Sequence, residues 1–195
     1  VEDTATVAKL FEKVPVSYIA DGHHRSASAV RVGNERRAAN PKHTGNEEYN
    51  WFLSVLFPAS ELKILPYNRA VKDLNGLSEA DFLAKIKSLF TVTENPDPSP
   101  KSPRNVSMYL GKKWYGLSWP EVKSSNPVDK LDVSTLQNQV LKPLLGIDDP
   151  RTSHRIKFIG GIRGPQELVR LVDQKGFAVA FSMYPTTVDQ LMAIA

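Results

Sequence analysis

Toward its end the chain alternates between stretches that favour strands and stretches that favour helices, and this order constrains the fold most. Residues 155–192 predict a strand, a glycine turn, a helix, a second strand and a second helix. Pro165 stands at the expected first turn of the first helix, where proline is favoured. Because alternating strands and helices pack as layers, the sequence predicts an α+β fold of mixed α/β character, in which helices flank a mixed sheet.

Elsewhere, apolar residues recur at helical spacing or form short β-branched and aromatic runs, so further elements are expected. The run Trp51–Phe57 is predicted to be a strand whose side chains belong to the core. The apolar runs on either side of Gly111 predict a hairpin. Helices are predicted over residues 5–13, 26–37, 78–89 and 132–147, and further strands over residues 16–19, 62–71 and 90–94.

Two helix starts can be predicted in more detail, because serine and aspartate are favoured N-cap residues. Ser78, with Asp81 three residues later, is expected to cap the helix over residues 78–89. Asp132 or Ser134 is expected to cap the helix over residues 132–147, and proline should distort its last turn. The predicted buried face of the first of these helices consists of Phe82, Ile86 and Leu89.

Composition limits the class of protein. The chain has 195 residues, of which 41% are hydrophobic and 24% charged, and no apolar run is long enough to cross a bilayer. We therefore expect a soluble protein with no membrane partner. The absence of cysteine excludes disulfides, cysteine zinc sites and thiol catalysis, and it fits the cytoplasm. The net charge of +4 is scattered, so it permits nucleic-acid binding without arguing for it.

The domain organisation has two interpretations. Residues 1–195 form a single domain, or they are the C-terminal half of a longer protein, since the chain begins with Val1 and ends inside a predicted helix. Residues 95–105 contain four prolines among polar residues, which predicts an exposed loop rather than a domain boundary. The sequence leaves the oligomeric state open.

Chemically active side chains concentrate in the segment Asp21–Arg25, with the sequence Asp-Gly-His-His-Arg, called the pentad below. The pentad stands between a predicted strand and a predicted helix. Free backbone N–H groups, two imidazoles and a guanidinium would therefore meet at the positive end of the helix, which predicts an anion site. Gly22 allows a tight turn, Arg25 offers a planar fork to phosphate, and His23 and His24 can donate hydrogen bonds or move protons.

Other roles for the pentad remain open. Asp21 could act as a base, hold a water bound to Mg²⁺, or simply cap the helix while His23 and His24 lie exposed on its first turn. A metal site made by the two histidines is not favoured. Adjacent residues on a helix point about 100° apart, whereas metal-ligand pairs favour spacings of three or four, so we predict no metal site.

A second set of residues could line the same cleft. Gly160, Gly161 and Arg163 form a glycine turn between a predicted strand and a predicted helix, and Asn68 and Arg69 come at the end of another strand. For the glycine turn the alternative is a purely structural role. For Asn68 and Arg69 the favoured alternative is a solvated sheet edge. If one layered domain forms, we expect the glycine turn to lie on the same rim as the pentad.

Several segments resemble a known family across essentially the whole chain. These segments are "YIADGHHRSASA", "LKILPYNRAVKDLNGL", "LDVSTLQNQVLKPLLGIDDPRTSHRIKFIGGIRG" and "AVAFSMYPTTVDQLMAIA". They are similar to members of the domain-of-unknown-function family numbered 1015. Members of that family are longer at both ends, so the resemblance implies that this chain is the C-terminal half.

The pentad is also similar to the motif of the ParB/sulfiredoxin-like superfamily, in which a strand–turn–helix unit receives nucleotide phosphates. Free serine kinases of that superfamily carry a closely similar motif. The resemblance implies that Asp21 lies near the phosphoryl acceptor and that His23, His24 and Arg25 bind phosphate. We predict that Asp21 and His24 are catalytic and that Gly22 also belongs to the phosphate site.

Two functions from different classes follow. The first is an enzyme that binds ADP or ATP with Mg²⁺ at the pentad and transfers a phosphoryl group to a small molecule with a serine-like hydroxyl. The alternative is a ParB-like DNA-associated or transcriptional regulator, or a non-catalytic scaffold domain. We expect a small-molecule or nucleotide ligand. Nucleic acid is not favoured, because no helix-turn-helix is recognisable.

Overall fold

The computed structural model describes residues 3–194. These residues divide into two compact units, of which the first ends at Glu61 and the second comprises Leu62–Ile194. Six α-helices and six strands form within the described residues, so the chain is an α+β protein as predicted. All six strands belong to the second unit.

The first unit consists of helices and extended segments. Helix α1 spans Thr4–Phe11 and helix α2 spans His23–Ala39, which agrees with both helix predictions. Two short 3₁₀ turns follow at Glu48–Asn50 and Ala59–Glu61. None of the residues described in this unit is buried.

The strands predicted at residues 16–19 and 51–57 are wrong, because both segments lack regular secondary structure. The side chains of Leu53 and Val55 are 94% and 84% exposed, so the run Trp51–Phe57 is not core within this unit. Strand propensity reflects how well side chains fit a paired, half-buried surface. Within residues 3–61 no strand is available to pair with either segment.

The second unit contains one six-stranded sheet with the order β2-β4-β3-β6-β1-β5. Every pairing described in it is antiparallel, so the prediction of a mixed sheet is wrong. Strand β1 is shorter than predicted because it begins after Pro66, which has no N–H to donate to a neighbouring strand. The strands are β1 Tyr67–Val71, β2 Thr91–Glu94, β3 Asn105–Leu110, β4 Lys113–Ser118, β5 Ile156–Gly160 and β6 Val179–Met183.

Helices cover both faces of this sheet. Helix α3, Glu79–Leu89, and helix α4, Asp132–Leu136, contribute to the core on one face, and helix α5, Gly164–Lys175, packs on the other. Helix α6, Val188–Ile194, follows β6. The larger core contains, among others, Phe82, Ile86, Val140, Leu145 and Phe181, and the smaller one contains Ala70, Tyr109, Ile159, Leu168 and Leu171.

The helix details agree with the predictions only in part. Ser78 caps α3, since its Oγ accepts a hydrogen bond from the N–H of Asp81 at 3.1 Å. Leu89 is 42% exposed, so its predicted burial is wrong. Neither Asp132 nor Ser134 caps α4, because its N-cap residue is Leu131.

Helix α4 continues as a π-helical turn over Gln137–Leu141. Lys142 donates its N–H to the carbonyl of Gln137 at 3.0 Å, five residues back. Pro143 follows and cannot donate to a helical partner, which accounts for the distortion predicted near the end of this helix. No helix within the described part of the chain is long and apolar enough to cross a membrane.

Candidate functional site

The pentad lies exposed at the start of α2 in the first unit. Gly22 is the N-cap residue, with a left-handed backbone at φ 79°, and no side chain caps the helix. Asp21 instead lies 3.7 Å from Arg25, measured from Oδ2 to Nη2, so Asp21 does not cap the helix. The first N–H groups of α2 are thus uncapped, and no acidic residue stands in the first turn.

The backbone conformation at Gly22 favours glycine. Its φ of 79° lies in the left-handed region that glycine adopts readily. A Cβ built on Gly22 would also lie 3.2 Å from Nη2 of Arg25. The guanidinium of Arg25 therefore sits directly over the backbone turn, where phosphate oxygens would meet both the guanidinium and the free N–H groups.

A groove of about 270 Å³ lies in the same unit and begins at Ser26, the residue that follows the pentad. His23 precedes Ser26 by three residues and Val30 by seven, so it shares the helix face that lines the groove. His23 does not itself line the groove, which begins one helical turn further along α2. Its lining includes Ser26, Val30, Asn34, Arg37, Trp51 and Phe52.

A hydrogen-bonded cluster beside this groove was not predicted from the sequence. His43 accepts a hydrogen bond through Nε2 from Nε of Arg37 at 3.1 Å, so its proton is on Nδ1. That Nδ1 lies 3.1 Å from Glu47 Oε2 and 2.9 Å from the hydroxyl of Tyr49. The sequence indicates this cluster only weakly, because His43 is a single histidine in a turn-forming segment.

Hydrogen bonds stabilise the negative charge of the Glu47 carboxylate in this cluster. The backbone N–H of Thr44 is the main cause that lowers the pKa of Glu47 to about 2. Further hydrogen bonds come from the Thr44 hydroxyl and the N–H of Gly45. The cluster connects the loop after α2 to the helix and so shapes the groove.

The second set of predicted site residues lies in the second unit. Strand β1 pairs with β5, which places Asn68 beside Ile159 and Arg69 beside Phe158. Both Asn68 and Arg69 are buried, so the solvated sheet edge favoured for them is wrong. They point to opposite faces of the sheet, as neighbours in a strand do, and Asn68 Oδ1 accepts the N–H of Met183 at 2.9 Å.

The glycine turn over residues 160–163 is also in the second unit. Gly161 lies against Pro66, whereas Gly160 has open space where a side chain would be. Arg163 is exposed, and its Nη1 lies 3.8 Å from Oε1 of Glu167 in the first turn of α5. That the pentad and this turn share one rim stays a prediction.

Comparison with known proteins gives one result. A family described as "Protein of unknown function (DUF1015)" matches residues 1–134, a range that includes the pentad and Arg69 but not the turn at Gly160. No curated protein and no solved structure shows a significant match. Because the match covers more than half of the chain, the protein belongs to the DUF1015 family.

Proposed function

We propose that the pentad binds the phosphate groups of a nucleotide. The observation that carries this proposal is the start of α2, where uncapped N–H groups, the guanidinium of Arg25 and the imidazoles of His23 and His24 are all near the left-handed turn at Gly22. Such a helix start attracts anions through its N–H groups and its dipole. Arg25 adds a charged partner for phosphate oxygens.

The groove that begins at Ser26 supports a nucleotide rather than free phosphate. It contains Trp51 and Phe52, whose rings can stack on a base, and Asn34 and Asn50, whose amides can hydrogen-bond to its edge. Phosphates at the pentad and a base in the groove would occupy consecutive turns of one helix. His23, on the groove side of α2, would contact the phosphate nearest the sugar.

Bound in this way, the nucleotide could donate a phosphoryl group to a small hydroxyl compound. The terminal P–O bond of ADP or ATP breaks, a new P–O bond forms to the hydroxyl oxygen, and the hydroxyl proton passes to the Asp21 carboxylate. The shortened nucleotide leaves with the electrons of the broken bond. Arg25 and His24 would stabilise the charge that develops on the transferred group.

We do not propose a magnesium site formed by protein side chains alone. Among residues 3–194 no three His, Asp or Glu side chains cluster closely enough to hold a metal ion. Mg²⁺ commonly binds through substrate phosphates with only one or two protein carboxylates. Asp21 is the one carboxylate of the pentad that could join such a nucleotide-bound ion.

Calorimetric titration of the chain with ADP and ATP tests this proposal. We expect binding at submillimolar to millimolar nucleotide, and Arg25→Ala should weaken it by roughly tenfold or more, because hydrogen bonds to charged groups contribute about 1.5–3 kcal/mol. Arg36→Ala is the matched control. It removes the same charge from the exposed C-terminal turn of the same helix, outside the groove.

Equal binding by the wild-type, Arg25→Ala and Arg36→Ala proteins would overturn the proposal. No binding at millimolar nucleotide would do the same. Salt-dependent binding to duplex DNA of random sequence, without nucleotide binding, would instead support the regulator described above.

A further inference from the structure

Arg69 is the only buried basic residue among the described residues of the chain, with 9% of its surface exposed. It lies on β1, one strand in from the β5 edge of the sheet. Phe158 of β5 and Phe181 of β6 are its register partners on either side. The guanidinium carbon lies 5.4 Å from the centre of the Phe158 ring, and that ring stacks on Tyr67 with their centres 5.1 Å apart.

Only one edge of this guanidinium has a protein partner. Nη1 donates to the backbone carbonyl of Tyr67. Within residues 3–194, Nε and Nη2 of Arg69 have no hydrogen-bond partner, and no carboxylate lies within 4.0 Å of the group. The N–H groups of Nε and Nη2 point the same way and form the fork that grips two oxygens at once.

Other arginines of the same unit show how this fork is normally used. Arg151, Arg155 and Arg170 each present Nε and Nη2 to the two oxygens of one carboxylate. Their carboxylate partners are Asp149, Asp73 and Glu167. All three arginines are more exposed than Arg69. Of these four arginines, Arg69 is the most buried and is the one whose fork has no acid.

The unpaired edge can be reached from solvent. Of the described polar side-chain atoms that are fully buried, only Gln137 Oε1 lacks a hydrogen-bond partner, so Nε and Nη2 of Arg69 must retain some solvent access. Burial is the main cause that lowers the pKa of Arg69 to about 10, which still leaves it charged at neutral pH. A buried cation without a counter-charge is costly, and an anion taken from solvent would offset that cost.

Open space lies on the same face of the sheet. Gly160 is the register partner of Tyr67, and a Cβ built on it meets no heavy atom within 4 Å. The backbone of Gly160 does not itself require glycine, since its φ is −60°. The missing side chain thus leaves room next to the aromatic pair formed by Tyr67 and Phe158.

We propose that Arg69 is an oxyanion site, in which Nε and Nη2 bind two oxygens of a carboxylate or phosphate group on a small ligand. The rest of the ligand would lie against the exposed ring of Tyr67. This site belongs to the second unit and uses no residue of the pentad. It stands independently of the nucleotide function proposed above.

Arginine-detected NMR tests the site directly. The full chain, labelled with ¹⁵N, is titrated at constant ionic strength with inorganic phosphate and, separately, with acetate, and the Nε–H signals are followed. We expect the Arg69 signal, assigned by its loss in Arg69→Lys, to move saturably at millimolar anion. Saturation by acetate alone identifies a carboxylate ligand, saturation by phosphate alone identifies a phosphate, and saturation by both identifies the shared oxyanion chemistry.

Arg69→Lys should weaken binding by about tenfold or more, because lysine keeps the charge but lacks the two-pronged fork. Arg151→Lys, which changes an exposed arginine of the same unit outside every candidate site, should bind as the wild type does. An Arg25→Ala protein in which no arginine Nε–H signal moves saturably with either anion would overturn the proposal, whether or not the Arg69 variant folds. Arg25→Ala should leave the Arg69 titration unchanged, so the two sites can fail separately.

Discussion

The carboxyl group of Asp132 is the only buried acid among the described residues, with 8% of the residue exposed. Both of its oxygens lie 3.0 Å from the backbone N of Arg104. Burial is the largest cause that raises its pKa from 3.8 to about 6. The folded protein therefore binds a proton here more readily than the unfolded chain does. Between these two pKa values the stability should fall as pH rises.

We predict that Asp132→Asn raises the free energy of unfolding at neutral pH. Asparagine removes the buried charge and can still accept the N–H of Arg104 through Oδ1. The gain should be about 1–3 kcal/mol near pH 7 and should disappear below about pH 3, where the wild-type carboxyl is largely protonated in both states. Urea unfolding of both proteins at the two pH values measures it.

Asp73→Asn is a control that should change the free energy of unfolding in the opposite direction. The side chain of Arg155 is the main cause that lowers the pKa of Asp73, so its charge stabilises the fold near neutral pH and this contribution is lost as pH falls. Asp73→Asn should therefore destabilise the protein at neutral pH. An Asp132→Asn effect of the same size at both pH values would show that the buried charge is not its cause.

Two adjacent glycines in the turn from β5 to α5, Gly160 and Gly161, have different surroundings. A Cβ on Gly161 would lie 2.5 Å from Cδ and 2.7 Å from the carbonyl oxygen of Pro66. We predict that Gly161→Ala destabilises the protein by about 1–3 kcal/mol, because the rigid proline cannot give way without a backbone shift. Thermal or urea unfolding measures the change.

Gly160→Ala is the matched control for this element. Its backbone has φ −60° and ψ 138°, and no atom lies near the added Cβ. Alanine should thus be neutral or should stabilise the protein by about 0.4–1 kcal/mol, through the lower entropy of the unfolded chain. Equal losses in the two variants would show that contact with Pro66 is not what requires glycine in this turn.

Elements whose signals are local could be predicted from the sequence. The sequence predicts the cap at Ser78, the hairpin at Gly111 and the two strands and two helices that follow residue 155, because a few neighbouring residues determine each. The segments at residues 16–19 and 51–57 carry the same apolar signal as a strand. Strand formation requires a pairing partner elsewhere in the chain, which local composition cannot reveal.

The candidate sites were predictable to different degrees. The pentad stood out because its residue types are concentrated in five positions, and the structure places it at a helix start as expected. The burial of Arg69 was not predictable, because the position of β1 inside the sheet depends on long-range pairing with β5 and β6. The partners of His43 were missed for a related reason, since a lone histidine in a turn gives no sign of what it will contact.

The two candidate sites lie in different units of the molecule. The first unit holds the pentad and the groove and has no buried residue among those described. The second holds the sheet, both apolar cores and Arg69. The four histidines are distributed over both units. The first unit contains His23 and His24 of the pentad and His43 of the cluster beside the groove. The second unit contains His154.

The ring Cε1–H signals of these histidines, followed by NMR during a titration with ADP, test most directly whether the pentad binds nucleotide. The signals are assigned by single histidine-to-glutamine variants. We predict that the His23 and His24 signals move saturably at millimolar ADP while the His154 signal stays in place. Fixed His23 and His24 signals, or a His154 signal that moves as far as theirs, would contradict phosphate binding at the start of α2.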